Sequence, residues 1–281
     1  MDATVFFAVI FAAFLHASWN AVVKSSADKY LSMTAVVLGH APLAIGLLGF
    51  VPQPSAASIP YMIVSTALHQ GYQVFLLWSY RAGDMSQVYP IARGTAPIVV
   101  TVISVGLLGE RLSPLEMTAV GLIAIGIMSL LVVRGGDGLR NPKAATLALT
   151  TSAFIAGYTL VDGLGARAAG SPVGFYAWEA ILNALTFAGI MLVYKPGLLQ
   201  RVWPEARMTA LIGGGASFVA YAIAVWGFTR APIALVAALR ETSIILALLI
   251  GVFVMKERLD IGKLVSTFVT MAGAILLRVA K

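Results

Sequence analysis

Residues 89–97 read Tyr89-Pro90-Ile91-Ala92-Arg93-Gly94-Thr95-Ala96-Pro97, a polar, proline-bearing interruption inside a long apolar run. Downstream, Glu110-Arg111-Leu112 recurs as Glu257-Arg258-Leu259, an offset of 147 residues. The same offset carries Arg93 onto Arg240, within Ala237-Ala238-Leu239-Arg240-Glu241-Thr242-Ser243. One cation in each half of the chain, at matching depth in an apolar segment, points to a duplicated architecture with a charged interior.

Composition says what that interior lies in. Of 281 residues, 59% are hydrophobic and 11% charged, with a mean hydropathy of +0.91, whereas soluble domains carry about a quarter charged residues. The chain is therefore expected to be an all-α integral membrane protein. A crossing helix needs about 20 mostly apolar residues. Cutting at charged, proline and glycine-rich punctuation predicts ten: 3–23, 31–51, 58–79, 85–108, 114–133, 143–166, 172–194, 207–229, 232–255 and 260–280. Residues 2–23 lack a basic leader and are long for a signal core, so they read as the first span rather than a cleaved signal. The longest connections fall near Arg134–Pro142 and Lys195–Arg207, and no soluble domain fits between spans. With no cysteine, disulfides, thiolate metal sites and thiol nucleophiles are excluded. A pI near 9.8 is accounted for by basic loops at a membrane face rather than by nucleic acid.

Of the 19 Lys and Arg, 12 fall in connections 1–2, 3–4, 5–6, 7–8 and 9–10, five lie on the opposite face, and the remaining two are Arg93 and Arg240. That bias predicts both termini outside. The halves, 1–137 and 138–281, hold five spans each. An odd number turns the second copy upside down in the membrane, which predicts an inverted repeat of the kind found in secondary transporters, with the substrate site at the repeat interface. Ala17-Ser18-Trp19-Asn20 echoes Ala156-Gly157-Tyr158-Thr159, and Trp78-Ser79-Tyr80 echoes Trp226-Gly227-Phe228.

Ten short helices in two halves, each with a Gly or Lys-Glu-Arg-Leu connection between its fourth and fifth spans (residues 109–112 and 256–259), resemble the EamA-type members of the drug/metabolite transporter superfamily. The resemblance covers essentially the whole chain. It implies a central cavity lined by spans 1, 3, 4, 6, 8 and 9, peripheral spans 5 and 10, and transport of small metabolites. It also implies cytoplasmic termini for many members, against the charge bias, so orientation stays open, as do direction and coupling ion. His16-Ala17-Ser18-Trp19-Asn20 and Tyr89 to Gly94 further resemble a bacterial subgroup, some of whose members are associated with phosphonate utilisation, and imply a bacterial inner membrane. The small multidrug relatives of the superfamily carry a membrane-embedded Glu in helix 1. Here no acid stands between Asp2 and Asp28, which argues against that cation-export mechanism.

Arg93 and Arg240 lead the candidate substrate-binding residues. An arginine at mid-span costs roughly 2.5–3.5 kcal/mol on insertion scales, so it faces a cavity or a partner. A guanidinium fork suits carboxylate or phosphonate oxygens; the competing role is an intramembrane ion pair with Glu241, Asp162 or Glu179. Pro90 and Pro97 each remove a backbone donor, which predicts a broken, ligand-contacting helix in the first half and a straighter one in the second. Gly94 is expected to allow close approach. Asp162, Glu179 and Glu241 are candidates for a coupling or counter-charge role, or for holding a substrate ammonium; Glu116 reads as an ordinary helix N-terminal acid. His16 with Asn20, and His69 with Gln73, are one turn apart on single faces and are expected in the cavity wall, interhelical hydrogen bonding being the alternative. Tyr89, Tyr158 and Trp178 are the aromatic candidates, whereas Trp78 and Trp226 read as interface anchors. Glycines such as Gly121, Gly126 and Gly213 to Gly215 read as close helix packing.

The three histidines stand in separate spans without metal-ligand spacing, and no phosphate-cradling loop occurs, so neither a metal nor another cofactor is expected. A lipid-modifying enzyme is disfavoured because no nucleophile–base pair or metal motif is recognisable, and a sensor because no soluble output domain is attached. The expectation is a transporter of a small anionic or zwitterionic metabolite, of amino acid or aminophosphonate type, with membrane lipid around it and either a monomeric or a homodimeric state. The alternative is export of cationic or amphiphilic compounds through embedded carboxylates.

Overall fold

The computed structural model describes residues 1–83, 85–133, 141–253 and 261–280. The second Glu-Arg-Leu motif, at Glu257, and the connection around Arg134 lie outside the described residues. Elsewhere the chain forms twelve α-helical segments and no strand among the described residues: α1 (Ala3–Ser25), α2 (Lys29–Leu48), α3 (Ile59–Ala82), α4 (Met85–Gly106), α5 (Pro114–Val133), α6 (Pro142–Ala169), α7 (Pro172–Tyr194), α8 (Leu198–Met208), α9 (Gly214–Phe228), α10 (Ile233–Arg240), α11 (Ser243–Phe253) and α12 (Ile261–Val279). A π-helical turn, Thr209–Gly213, joins α8 to α9.

Seven stretches among the described residues are long and apolar enough to cross a membrane. The apolar parts of α5 and α12 are shorter, at Pro114–Leu130 and Leu264–Val279. Helix α3 is absent from the seven; it carries Ser65, Thr66, His69, Gln70 and Gln73 along its middle. Large apolar side chains such as Phe7, Ile45, Ile63, Val102 and Leu185 are exposed, far more than an aqueous surface carries in contiguous patches. The protein is an integral membrane protein.

Local signals set the helix starts. Asp28, Asn141 and Ser171 accept hydrogen bonds from the amides of Leu31, Ala144 and Gly174, capping α2, α6 and α7. Ser113 and Glu116 form a reciprocal capping box at α5, so Glu116 is a helix N-terminal acid as read from sequence. Residues 195–207, expected to be a connection, are mostly helical: α8 follows Gly197 (φ 84°), buries Leu198, Val202 and Ala206 one turn apart, and leaves Arg201 to pair with Glu205.

The most extensive packing joins α5 with α12, α3 with α6, α4 with α6, α2 with α7 and α1 with α9. Lipid is as apolar as leucine, so close backbone approach at small residues does much of this work. Gly214 lies against Gly39 of α2, where an added Cβ would stand 2.8 Å from the Gly39 Cα, and a Cβ on Gly273 would stand 2.8 Å from the Ala119 carbonyl oxygen. Gly126 meets Thr270 in the same seam, whereas Gly121 faces open space and packs against nothing. Replacing Gly39 with Val drives a side chain into the Ala210 carbonyl. The variant is expected to lose about 1–3 kcal/mol or more, read as a lowered thermal midpoint of the purified protein in detergent.

Where the chain breaks differs from expectation. Helix α4 runs unbroken through Pro90 and Pro97, and the break falls in the second half, between α10 and α11, at Glu241 and Thr242. There the amides of Glu241, Thr242, Ile244 and Ile245 each bond three residues back, a tightened pattern that marks hinges or strained sequence. The Thr242 hydroxyl also donates to the Leu239 carbonyl at 2.7 Å, competing with the regular ladder. Proline fits α4 because its fixed φ is helical, and the Thr101 hydroxyl donates back to the Pro97 carbonyl one turn earlier at 2.7 Å.

Candidate functional site

A cavity runs through the middle of the bundle. Its walls come from α1 (His16, Trp19, Asn20), α3 (His69, Tyr72, Gln73), α4 (Tyr89, Arg93), α6 (Tyr158), α9 (Tyr221) and α10 (Arg240), with Met33 from α2 and Glu179 and Asn183 from α7. Nine of the ten expected substrate-binding residues, all but Trp178, thus line two adjoining spaces that meet at His16, Trp19, Met33, Tyr72 and Arg93: Asn20 and Tyr89 in one, and His69, Gln73, Tyr158, Glu179 and Arg240 in the other. Helices α2 and α7 contribute walls beyond those the resemblance implies.

The two arginines have different surroundings. Arg93 is 6% exposed; its Nε lies 3.1 Å from Glu241 Oε2 and its Nη2 lies 2.6 Å from His16 Nε2. A guanidinium only donates, so Nε2 is the acceptor nitrogen of His16. Glu241 therefore acts as the counter-charge of Arg93, tying α4 to the break after α10 and to α1. Arg240 forms no ion pair among the described residues. Its guanidinium lies over the Tyr221 ring, 4.7 Å from the centroid, a cation–π contact that leaves the charge and its donors facing the cavity.

The same cavity is lined by Glu179 and His69, with a second acid, Asp162, buried behind them. Asp162 of α6 accepts from the Ser65 hydroxyl and from the Tyr221 hydroxyl at 2.5 Å. His69 bridges the two acids: its Nδ1 is 3.4 Å from Glu179 Oε1 and its Nε2 is 3.9 Å from Asp162 Oδ2. Nδ1 also lies 3.1 Å from the Ser65 carbonyl, which can only accept, so that nitrogen carries the proton. The ring stacks on Tyr158 at 4.1 Å. Below, Asn183 Oδ1 accepts from Gln70 at 2.6 Å and Gln73 at 3.3 Å. Several buried polar atoms lining the cavity have no hydrogen-bond partner among the described residues, including Gln73 Oε1 and Glu179 Oε1 of this wall and Trp19 Nε1 of α1. Such atoms are rare in interiors and call for a partner that enters the space.

Trp178 stands apart. It is 37% exposed, and its indole N–H donates to Gln53 at 2.7 Å on the outer end of the bundle. Adjacent helical residues point about 100° apart, so once Glu179 faces the cavity Trp178 cannot. Gly94 serves helix packing, a Cβ there standing 2.9 Å from Met128 of α5. Ser65 and Asn183 were missed from sequence, although Ser65-His69-Gln73 and Glu179-Asn183 are polar rows at one-turn spacing. The pairing of Tyr221 with Asp162 has no sequence signal.

Similarity to known proteins agrees with this architecture. No curated protein matches the sequence. Among 28 similar solved chains, one, described only as the crystal structure of a protein, superposes with a TM-score of 0.78 over 100% of both chains at 18% identity, which shows a shared fold. Residues 142–279 match the model of the EamA-like transporter family, a family of small-molecule membrane transporters within the drug/metabolite transporter superfamily. Residues 142–279 are thus similar to an EamA-like transporter family domain.

Proposed function

We propose that the protein is a secondary transporter of a small zwitterionic or anionic metabolite, of amino acid or aminophosphonate type, working by alternating access in a bacterial inner membrane rather than as an enzyme. In this reading ten spans form two inverted five-helix repeats, 1–137 and 138–281, with α8–α9 and α10–α11 counting as one span each. Exchange of the halves pairs the main packing seams with one another. The seam of α1 with α9 corresponds to that of α3 with α6, the seam of α1 with α10–α11 to that of α4 with α6, and the pairs α2–α7 and α5–α12 to themselves. Arg93 and Arg240 are then counterparts.

The observation that carries the substrate class is that Arg240, a cation without an ion-pair partner among the described residues, lines the same cavity as Glu179 and His69, with Asp162 buried behind His69. A zwitterion presents its acid to the guanidinium and its ammonium to the carboxylates. Counterflow in proteoliposomes, with zwitterions, simple anions and cations of matched size, tests this. Exchange is expected with the zwitterions; exchange of cations alone, lost in Glu179→Gln and retained in Arg240→Ala, would instead support export through the carboxylates.

A further inference from the structure

The Glu-Arg-Leu motif of the first half has no place in the cavity, yet its Glu110 sits in a hydrogen-bonded cluster at one end of the bundle. Gly109, at φ 68°, ends the turn after α4 and aims Glu110 inward. The Glu110 Oε1 atom accepts from Arg167 Nη2 at 2.7 Å and from the amide of Ile233, the first residue of α10, at 3.0 Å. Arg167, near the end of α6, donates onward to the carbonyls of Phe228, the last residue of α9, at 2.8 Å and of Ala231, in the connection to α10, at 3.1 Å. The carboxylate of Glu110 is nearly buried, with 8% of its side chain exposed, while Arg167 keeps 36%. Three separate segments are thereby stitched together: the α4–α5 connection, the end of α6 and the start of α10.

Helix α10 runs from that cluster to Arg240, eight residues in all, or about 10 Å of rise. Its far end is the break at Glu241, whose side chain reaches Arg93. At the Glu110 end, the face of α4 below Arg93 is nearly shut: Ala96, Val100 and Ala237 are 2%, 1% and 7% exposed and leave between them and Glu241 only a small cavity. Away from it, the cavity lining extends to Lys29, Leu77 and Tyr80, at the start of α2 and the end of α3.

We infer that Glu110 and Arg167 are positioning residues that latch this end of the bundle closed, holding α10, and with it Arg240, at the depth required for the cavity to face the other end. The inference rests on the transporter reading for its purpose but not for its test. Opening this end requires α10 to leave the α4–α6 seam, and the Ile233 amide cannot move without losing its acceptor. Release of the latch and displacement of Arg240 are one motion of a short rigid helix hinged at Thr242.

The chain has no cysteine, so Val100→Cys supplies a single thiol on the shut face. The test measures its labelling by a water-soluble maleimide in purified protein, alone and combined with Glu110→Ala, Glu110→Gln or Arg167→Ala. V100C is expected to be protected alone and to label about tenfold faster with E110A or R167A, within the usual range for coupled sites. E110Q, which keeps an acceptor for the Ile233 amide, is expected to fall between. Thermal midpoints of the same samples separate opening from unfolding. A lowered midpoint with V100C still protected, or rapid labelling of V100C without any latch substitution, overturns the inference. Labelling needs no transported solute, so it can fail while counterflow succeeds, and the reverse.

Discussion

Arg240→Ala is expected to abolish transport while leaving the fold intact. A desolvated, hydrogen-bonded charge contact is worth about 2–5 kcal/mol when one partner is truncated, so the apparent affinity for a zwitterion should fall at least roughly thirtyfold. The fold loses little. Arg240 has no carboxylate partner among the described residues, and its contact with the Tyr221 ring is worth about 0.5–2 kcal/mol. Arg240→Lys keeps the charge but not the two-pronged geometry, so it should retain binding between wild type and alanine. Binding measured by ligand-induced thermal shift alongside counterflow checks both arms. Wild-type counterflow in R240A would remove Arg240 from the substrate site.

Arg93→Ala is expected to act in the opposite way, by unfolding. The substitution leaves Glu241, 6% exposed, without its ion-pair partner at 3.1 Å and removes the donor to His16. Breaking a buried pair from one side costs about 3–5 kcal/mol, whereas replacing both members by apolar side chains of similar volume is often neutral or better. R93A should therefore lower the thermal midpoint sharply, and Arg93→Met with Glu241→Met should recover most of it. A double variant no more stable than R93A would mean that the pair does not carry the loss. The two arginines, equivalent by position in the sequence, are thus expected to separate into a structural residue and a ligand-contacting one.

That separation could not be read from the sequence because it depends on which way Glu241 turns. The acid follows Arg240 directly, which makes it an obvious candidate partner for its neighbour. Adjacent helical positions diverge by about 100°, and the break at Thr242 turns Glu241 across to α4 instead. The same break overturns the expectation that the proline-bearing half would supply the interrupted helix. Proline costs a helix one donor and a clash, and in α4 the helix absorbs both; Glu241 and Thr242 contain no breaker residue, yet an ion pair to another helix and a hydroxyl bonded to its own backbone accompany the interrupted ladder.

Other features were legible because they depend on one-dimensional quantities. Apolar composition and segment length decide that the chain enters a membrane, and one-turn polar spacing puts His16 with Asn20, and His69 with Gln73, on common faces. Counting basic residues singles out Arg93 and Arg240, since a charge within a span is too costly to leave without a cavity or a partner. Tertiary structure alone decided which helix faces meet: that Tyr221 would reach Asp162, that Trp178 would turn outward, and that the motif carboxylate of Glu110 would cap a helix 123 residues away. Those outcomes follow from the rotation of packed helices about their axes, and hydropathy and spacing carry no information on how one rotation registers against another.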